Sequence, residues 1–194
     1  DSFHHVLFSV VKLFTLLIYM KSFFLVSLFF SFVLGANYKI NESKVTYYGN
    51  HYLHKWEGSS SNIKGGVSFN KFNGKYQCSL NIPLNTFSSG NANRDSNMLI
   101  YCKAFDFPAI QFQSTSISLN QKSIDIEGSI DFAGIRRPLK TTAIINELSD
   151  EYFSIEGQFE ISLSEFEIKR PSLMFVKIED NIQIQYLIKG VINE

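Results

Sequence analysis

The chain has 194 residues, which allows one domain or one domain with an appendage, and its 18 basic and 18 acidic residues give no net charge. A neutral chain excludes the basic surface of a typical nucleic-acid-binding domain and also an acidic disordered tail. The 19 phenylalanines are unevenly spread, since eight of them lie within the first 36 residues. The composition therefore indicates two parts, an apolar leader over 1–36 and a water-facing domain over 37–194.

Met20 and Lys21 begin a segment that is typical of a secretory signal peptide. An apolar run of 13 residues follows over 22–34, and the small residues Gly35 and Ala36 end it. A basic start, a short apolar core and small residues before the cleavage point define such peptides, and this core is too short to cross a bilayer comfortably. We therefore interpret 20–36 as a signal peptide and 1–19 as over-extended translation. A retained membrane anchor over 6–34 is the alternative.

Cleavage of this leader predicts a periplasmic or secreted protein whose membrane contact is through the signal peptide only. The mature part holds two cysteines, Cys78 and Cys102. An oxidising compartment permits one disulfide between them. Burial as small apolar residues is an equally open interpretation, because Cys78 is in phase with the apolar residues Leu80 and Ile82.

From Tyr38 onward, apolar and polar residues alternate with the period of two that is typical of strands with one buried face. Short turn sequences such as Asn73-Gly74 separate the alternating runs, which indicates antiparallel neighbours. Several runs exceed ten residues, a length that suits the tilted strands of a barrel. We predict an all-β, eight-stranded antiparallel barrel with strands over 38–48, 63–72, 75–85, 109–119, 122–134, 138–148, 151–163 and 175–192.

One segment, 93–105, breaks this alternation. Counted from Met98, its apolar residues follow the i, i+3, i+4, i+7 spacing of an amphipathic helix. Ser96 or Asp95 would cap the helix at its N-terminus. We predict one short helix near 95–105 that closes one mouth of the barrel or packs on its side.

Few residues offer catalytic or metal chemistry. His51 and His54 are spaced i, i+3, but a zinc site usually needs three or four ligands, so a surface loop over 51–56 is the favoured interpretation. No nucleophile elbow, phosphate-binding loop or dinucleotide fingerprint occurs. We therefore predict no catalytic residue and no metal site. Arg94 has two open interpretations: it contacts a ligand head group, or it braces its loop with Asp95.

Three segments together resemble the YceI family. These are the Arg94-Asp95 pair with the following helix (93–99), the Pro-x-x-x-Phe-x-Ser entry to a strand within 105–114, and the glycine-rich segment 128–138 that ends in Arg136-Arg137-Pro138. The similarity spans nearly all of 38–192. Two segments depart from the family pattern, the longer loop over 86–91 and the segment 170–173, and they bear on the choice of ligand if these loops shape the mouth.

The resemblance implies a lipocalin-like barrel that is exported and holds a polyisoprenoid or another amphiphilic lipid inside. On this basis we expect a hydrophobic small-molecule ligand, such as an isoprenoid or a fatty-acyl lipid, with no cofactor, no enzymatic activity and no nucleic-acid partner. A homodimer stays open. The alternative is an envelope interaction protein whose barrel is filled by side chains. The predicted ligand contacts are Phe69, Leu80, Ile82, Phe112, Ile130, Phe159, Ile184 and Arg94.

Overall fold

The computed structural model describes residues 37–70 and 74–192. The two leader segments, 1–19 and 20–36, lie outside these residues, so the signal peptide and its cleavage stay predictions. Within the described ranges, no helix is both long enough and apolar enough to cross a membrane.

The described residues form eleven strands, one α-helix and two short 3-10 turns. The helix α1 is Ala92–Tyr101, and the 3-10 turns are Leu84–Thr86 and Leu163–Phe166. The strands are β1 Asn37–His51, β2 His54–Ser60, β3 Lys64–Asn70, β4 Lys75–Pro83, β5 Ala109–Leu119, β6 Ser123–Phe132, β7 Ile135–Leu148, β8 Tyr152–Ser162, β9 Ser172–Leu173, β10 Val176–Lys177 and β11 Asn181–Ile192.

The long strands close into one antiparallel barrel. Neighbours pair in the order β11-β8-β7-β6-β5-β4-β3-β1, and β11 pairs back onto β1. Strands β2 and β3 lie along the same edge of β1. The pairs Val45–Ser60 and Lys39–Gly66 are separated by six residues on both sides, so β2 and β3 act as one interrupted strand. The barrel therefore has eight positions, which confirms the predicted all-β, eight-stranded fold.

The interruption between β2 and β3 is bridged by the hydroxyl group of Ser43. The backbone N–H of Ile63 donates to Ser43 Oγ at 3.3 Å, and Ser43 Oγ donates to the carbonyl oxygen of Ser61 at 3.3 Å. Ser43 is buried, so its hydroxyl satisfies backbone groups that the ladder leaves unpaired. The side chain of Ile63 is then free to enter the core.

Two sequence predictions about strands are wrong. The predicted surface loop over 51–56 contains a turn of two residues, Tyr52 and Leu53, followed by the start of β2. The predicted strand over 175–192 is interrupted over 178–180 and comprises β10 and β11. Local alternation gives no sign of the turn at Tyr52 and Leu53, because that turn occupies only two residues.

The helix begins earlier than predicted because a different residue caps it. The side chain of Asn91 accepts a hydrogen bond from the N–H of Arg94 at 3.0 Å, so α1 starts at Ala92. Asp95, which the sequence offered as a cap, lies in the first turn and accepts a hydrogen bond from the N–H of Ser89 at 2.9 Å. Asp95 thus braces the preceding loop.

The turn between β9 and β10 is strained. Leu173 pairs with Val176 across a turn of two residues, Met174 and Phe175, whose φ angles are 51° and 67°. Tight hairpin turns with two positive φ angles favour Asn and Gly, because a Cβ atom in this region costs roughly 1–2 kcal/mol per residue. The chain therefore keeps two large apolar residues where its backbone disfavours them.

Two clusters of buried residues form the core. One lies around the helix and the 3-10 turns and includes Leu84, Phe132 and Phe166. The other fills the half of the barrel toward the start of β1 and includes Ala143 and Phe153. The two clusters meet where Tyr47, Met98 and Ile184 pack against both.

Aromatic rings that lie over glycines fill the half of the barrel toward the start of β1. Gly157 on β8 is paired with Tyr186 on β11, and the Tyr186 ring lies over the space that a side chain at 157 would take. The Tyr186 hydroxyl reaches Thr141 Oγ1 at 3.2 Å. Gly190 and Phe153 repeat the arrangement. Because glycine has no Cβ, each ring can lie flat across the interior.

We expect Gly157→Ala to lower the free energy of unfolding by about 1–3 kcal/mol, because the new Cβ overlaps the Tyr186 ring in a packed region. Urea unfolding followed by circular dichroism measures this change. In a Tyr186→Leu background, Gly157→Ala should lower the free energy of unfolding by less than half of that amount. An equal cost in both backgrounds would show that the ring is not the obstacle.

Candidate functional site

The half of the barrel next to α1 and the 3-10 turns is not filled but holds a partly open cavity of about 490 Å³. This volume lies in the range of roughly 300–1,000 Å³ that is usual for small-molecule sites. Inward-facing residues of six strands, of the 3-10 turns and of the segments beside them build its apolar wall. They are Val45, Ile82, Leu84, Phe87, Ile110, Ile130, Phe132, Phe159, Ile161, Leu163, Ile168, Ile178, Ile182 and Ile184.

Five of the eight ligand contacts predicted from sequence lie on this wall. They are Ile82, Ile130, Phe159, Ile184 and Arg94. The four apolar residues come from β4, β6, β8 and β11, strands that are far apart in the chain. Barrel closure brings them to one depth, since each lies near the strand end that faces the helix.

The other three predicted contacts do not reach the cavity. Phe69 stacks on Tyr76, with ring centroids 4.6 Å apart, near the opposite end of the barrel. Phe112 covers Gly128, and Leu80 packs against the filled half of the core. All three follow the same alternation as the cavity residues. Period two identifies the inward face of a strand but not the depth at which a residue lies.

The helix supplies a part of the wall that the sequence analysis did not assign to a site. Met98, Tyr101 and Cys102 line the cavity, as does Asn97. Their i, i+3, i+4 spacing was the signal that predicted the helix. What it could not show is that the apolar stripe faces an open space rather than a packed core.

A polar and aromatic group stands on one side of the mouth. The Arg94 guanidinium lies over the ring of Trp56, 5.8 Å from its centroid, and the ring of His54 is 5.4 Å from the same indole. Trp56 in turn lies against Gly49, its partner on β1. A cation over an indole contributes about 0.5–1 kcal/mol at such a partly exposed site, which orients Arg94 toward the opening.

His51 joins two hairpins at this mouth. Its Nδ1 accepts a hydrogen bond from the N–H of Leu53 at 3.2 Å, and its Nε2 lies 3.1 Å from the carbonyl oxygen of Val176. The two contacts place the ring proton on Nε2 and use both ring nitrogens. Trp56, His51 and His54 are thus site residues that the loop interpretation missed.

Tyr47 places a phenol between the mouth and the apolar wall. Burial, more than any other cause, raises its pKa to about 12; the nearby Asp95 raises it further, while Arg94 and a hydrogen bond with Ser89 lower it. The ring packs on Phe87, 5.9 Å between centroids. The phenol therefore stays protonated at neutral pH and can donate a hydrogen bond within an apolar space.

This arrangement suits an amphiphile with a long apolar part and a small polar group. The wall offers dispersion contacts and removal of water, while Tyr47 and Arg94 offer one donor and one cation.

Across residues 37–70 and 74–192, no group of three or more His, Cys, Asp or Glu side chains is arranged to hold a metal ion.

Both cysteines are free thiols. Cys102 is buried at the end of α1 and lines the cavity, whereas Cys78 is half-buried on β4 and its N–H donates to Ser114 Oγ at 2.7 Å. Burial raises the pKa of each thiol to about 12. A protonated thiol is a weak nucleophile, so neither group is prepared for covalent chemistry.

Comparison with known proteins gives a family and a fold. The family model described as a YceI-like domain matches residues 38–189. No curated protein matches the chain at a significant level.

Several solved structures share the fold. BcnA of Burkholderia cenocepacia has a TM-score of 0.66 at 16% identity, covering 76% of this chain and 95% of its own. A polyisoprenoid binding domain from Saccharophagus degradans, implicated in plant cell wall breakdown, has a TM-score of 0.67 at 12% identity, covering 80% and 98%. The Campylobacter jejuni YCEI protein has a TM-score of 0.59 at 14% identity, covering 71% and 84%.

We expect both thiols to react slowly in the folded protein. At about pH 8, raising a thiol pKa from 9 to about 12 lowers its thiolate fraction on the order of 1,000-fold. Absorbance after addition of a disulfide reagent, with and without guanidinium, measures the rates. Fast reaction of both thiols without denaturant would contradict their burial.

Tyr47 should also make stability depend on alkaline pH. Because its pKa is about 12 when folded and 10.0 ordinarily, the folded state holds the proton over this window and the unfolded state releases it. The free energy of unfolding therefore falls as pH rises from about 10 to 12. Tyr47→Phe should lose less stability over that range in urea titrations, and identical slopes would refute the assignment.

Proposed function

The chain belongs to the YceI-like domain family, and from that premise we propose that it is an exported binding protein which holds a polyisoprenoid or another amphiphilic lipid in its barrel. The observation that carries this proposal is the 490 Å³ apolar cavity with Tyr47 and Arg94 at its polar side. The polyisoprenoid binding domain of Saccharophagus degradans, which shares the fold, supports the choice of ligand class.

Burial of an alkyl or prenyl chain supplies the affinity. Each CH₂ group removed from water contributes about 0.8 kcal/mol, so ten such groups contribute ~8 kcal/mol, which corresponds to micromolar binding before ordering costs. A charged partner is therefore not required for binding. Arg94 and Tyr47 instead select the orientation, with the polar group of the ligand at the mouth.

The same cavity argues for binding rather than catalysis. Cys102 is the thiol on its wall, and burial raises the pKa of that thiol to about 12, which leaves it protonated. Tyr47 is protonated for the same reason. A lipid in this space meets hydrogen-bond donors and apolar side chains, and the protein acts as a carrier or reservoir. The open volume also disfavours the alternative of an interaction protein with a filled barrel.

Location in the periplasm or outside the cell is part of this proposal. It rests on the sequence of the leader, with Lys21 before the apolar run 22–34 and Gly35-Ala36 after it. An exported carrier would meet its ligand in the envelope, where free prenyl and acyl chains are insoluble without a host.

The first experiment extracts the natively purified protein with organic solvent and analyses the extract by mass spectrometry. We expect a hydrophobic molecule at a stoichiometry near one per barrel. A fluorescent prenyl probe and a fluorescent fatty-acid probe then test binding to the delipidated protein. If the extract holds no lipid and neither probe binds, the proposal is refuted.

A substitution that fills the cavity gives a sharper test. Ile184→Trp on β11 adds an indole to the wall, so we expect at least a tenfold loss of probe affinity. Glu160→Trp is the matched control, because Glu160 is exposed on the outer face of the neighbouring strand, beside Phe159. Circular dichroism confirms that both variants fold. Unchanged binding by Ile184→Trp would place the ligand outside this cavity.

A further inference from the structure

Two hairpin tips at the cavity end of the barrel carry large apolar side chains that are exposed to solvent. Met174 is 75% exposed and Phe175 is 104% exposed in the β9–β10 turn. Tyr52 is 89% exposed and Leu53 is 55% exposed in the β1–β2 turn. Exposed apolar groups are ordinary when scattered, but two adjacent pairs at one end of a barrel mark an interaction site.

These tips border the mouth of the cavity. His51 and His54, which flank the first tip, line the cavity, and so do Pro171 and Ser172, which precede the second. The two hairpins are also joined. His51 Nε2 lies 3.1 Å from the Val176 carbonyl oxygen, and the Asn50 carbonyl oxygen accepts from the N–H of Glu179 at 2.9 Å. Hydrogen bonds therefore connect the two hairpins beside the opening.

Local structure does not explain the residues at the second tip. Met174 and Phe175 both adopt positive φ angles, where Asn and Gly would be favoured, and their side chains gain no packing in return. The fold itself does not require this backbone strain at the rim of the cavity. The strain therefore indicates that these two residues contact a partner molecule.

The charges at the tips identify the partner. Lys55 and Lys177 are the charged residues nearest the tips in sequence, each two residues from Leu53 or Phe175, whereas the acidic residues Glu57 and Glu179 are four residues away. Apolar side chains at a tip with flanking lysines are the combination that binds an anionic bilayer, since the apolar groups enter the headgroup region and each lysine near the surface is attracted to anionic lipid.

We propose that this end of the barrel docks on anionic phospholipid membranes through Met174, Phe175, Tyr52 and Leu53, with the cavity mouth facing the bilayer. The contact adds a membrane site to the folded domain, beyond the leader to which the sequence analysis confined membrane contact. It goes beyond the proposed ligand function, because docking does not require an occupied cavity. Together, the two would let a lipid pass between bilayer and barrel without crossing water.

The single tryptophan of the chain, Trp56, reports on this contact because it stands at the mouth. Vesicles of phosphatidylcholine and phosphatidylglycerol with brominated acyl chains quench an indole that lies at the bilayer. We expect quenching of Trp56 with these vesicles and little with pure phosphatidylcholine. Residues 1–36 are the same in every variant, so any attachment through them cancels from the comparison.

The decisive variant is Met174→Asn with Phe175→Gly. Asn-Gly suits the turn, so the melting temperature should hold or rise, while the affinity for the vesicles falls at least tenfold. The matched control is Leu119→Asn with Leu148→Asn. These residues are 47% and 49% exposed at the opposite end of the barrel, and their replacement should leave quenching unchanged.

Three results would overturn the proposal. Equal quenching of the tip variant and the unmodified chain would show that the tips do not dock. An equal loss of vesicle affinity in the Leu119→Asn, Leu148→Asn control would show that any exposed apolar residue contributes to binding, wherever it lies on the barrel. Absence of quenching together with a dimer that the tip variant abolishes would assign the tips to a second copy of the chain. Probe binding in solution is measured on the same samples and should be unaffected by the tip variant, so failure of docking and failure of ligand binding are distinguishable.

Discussion

Strand β1 pairs with β11 from Tyr38 to Tyr48 on one edge and with β2 and β3 on the other, and this double pairing closes the sheet. Everything else in the molecule depends on it. Closure removes the free edges that an open sheet of this length would expose. It also turns the inward faces of eight strands into a bounded interior, in which each side chain must either pack or leave a space.

How that interior is used varies with depth. In the half toward the start of β1, glycines such as Gly157 and Gly190 let aromatic rings lie across the barrel, and the space is filled. In the other half, aliphatic and aromatic side chains together line the wall and the helix covers one side, and a cavity is left. Binding capacity thus depends on whether the inward-facing side chains fill the space at a given depth of the barrel.

The mouth gathers polar and apolar features from segments that are remote in the chain. Arg94 on the helix meets Trp56 on β2, and His51 reaches Val176 more than a hundred residues away. Alternation and the helical stripe at Met98 could predict the barrel and the helix, and alternation placed Ile82, Ile130, Phe159 and Ile184 on inward faces. They could not predict the turn at Tyr52, since a two-residue turn interrupts the pattern too briefly to be detected.

The sequence by itself determined the strand-rich character, the inward faces, the helical segment and the family. The first three depend on residues close together in the chain, because the pleat of a strand and the pitch of a helix impose fixed local periods. The family depends on several short motifs and their order along the chain. Only the tertiary structure decided that Ile184 lies on a cavity wall while Phe112 and Phe69 do not, and that two apolar tips meet at one mouth. Depth, volume and the joining of hairpins depend on cross-strand register, which local periodicity does not encode.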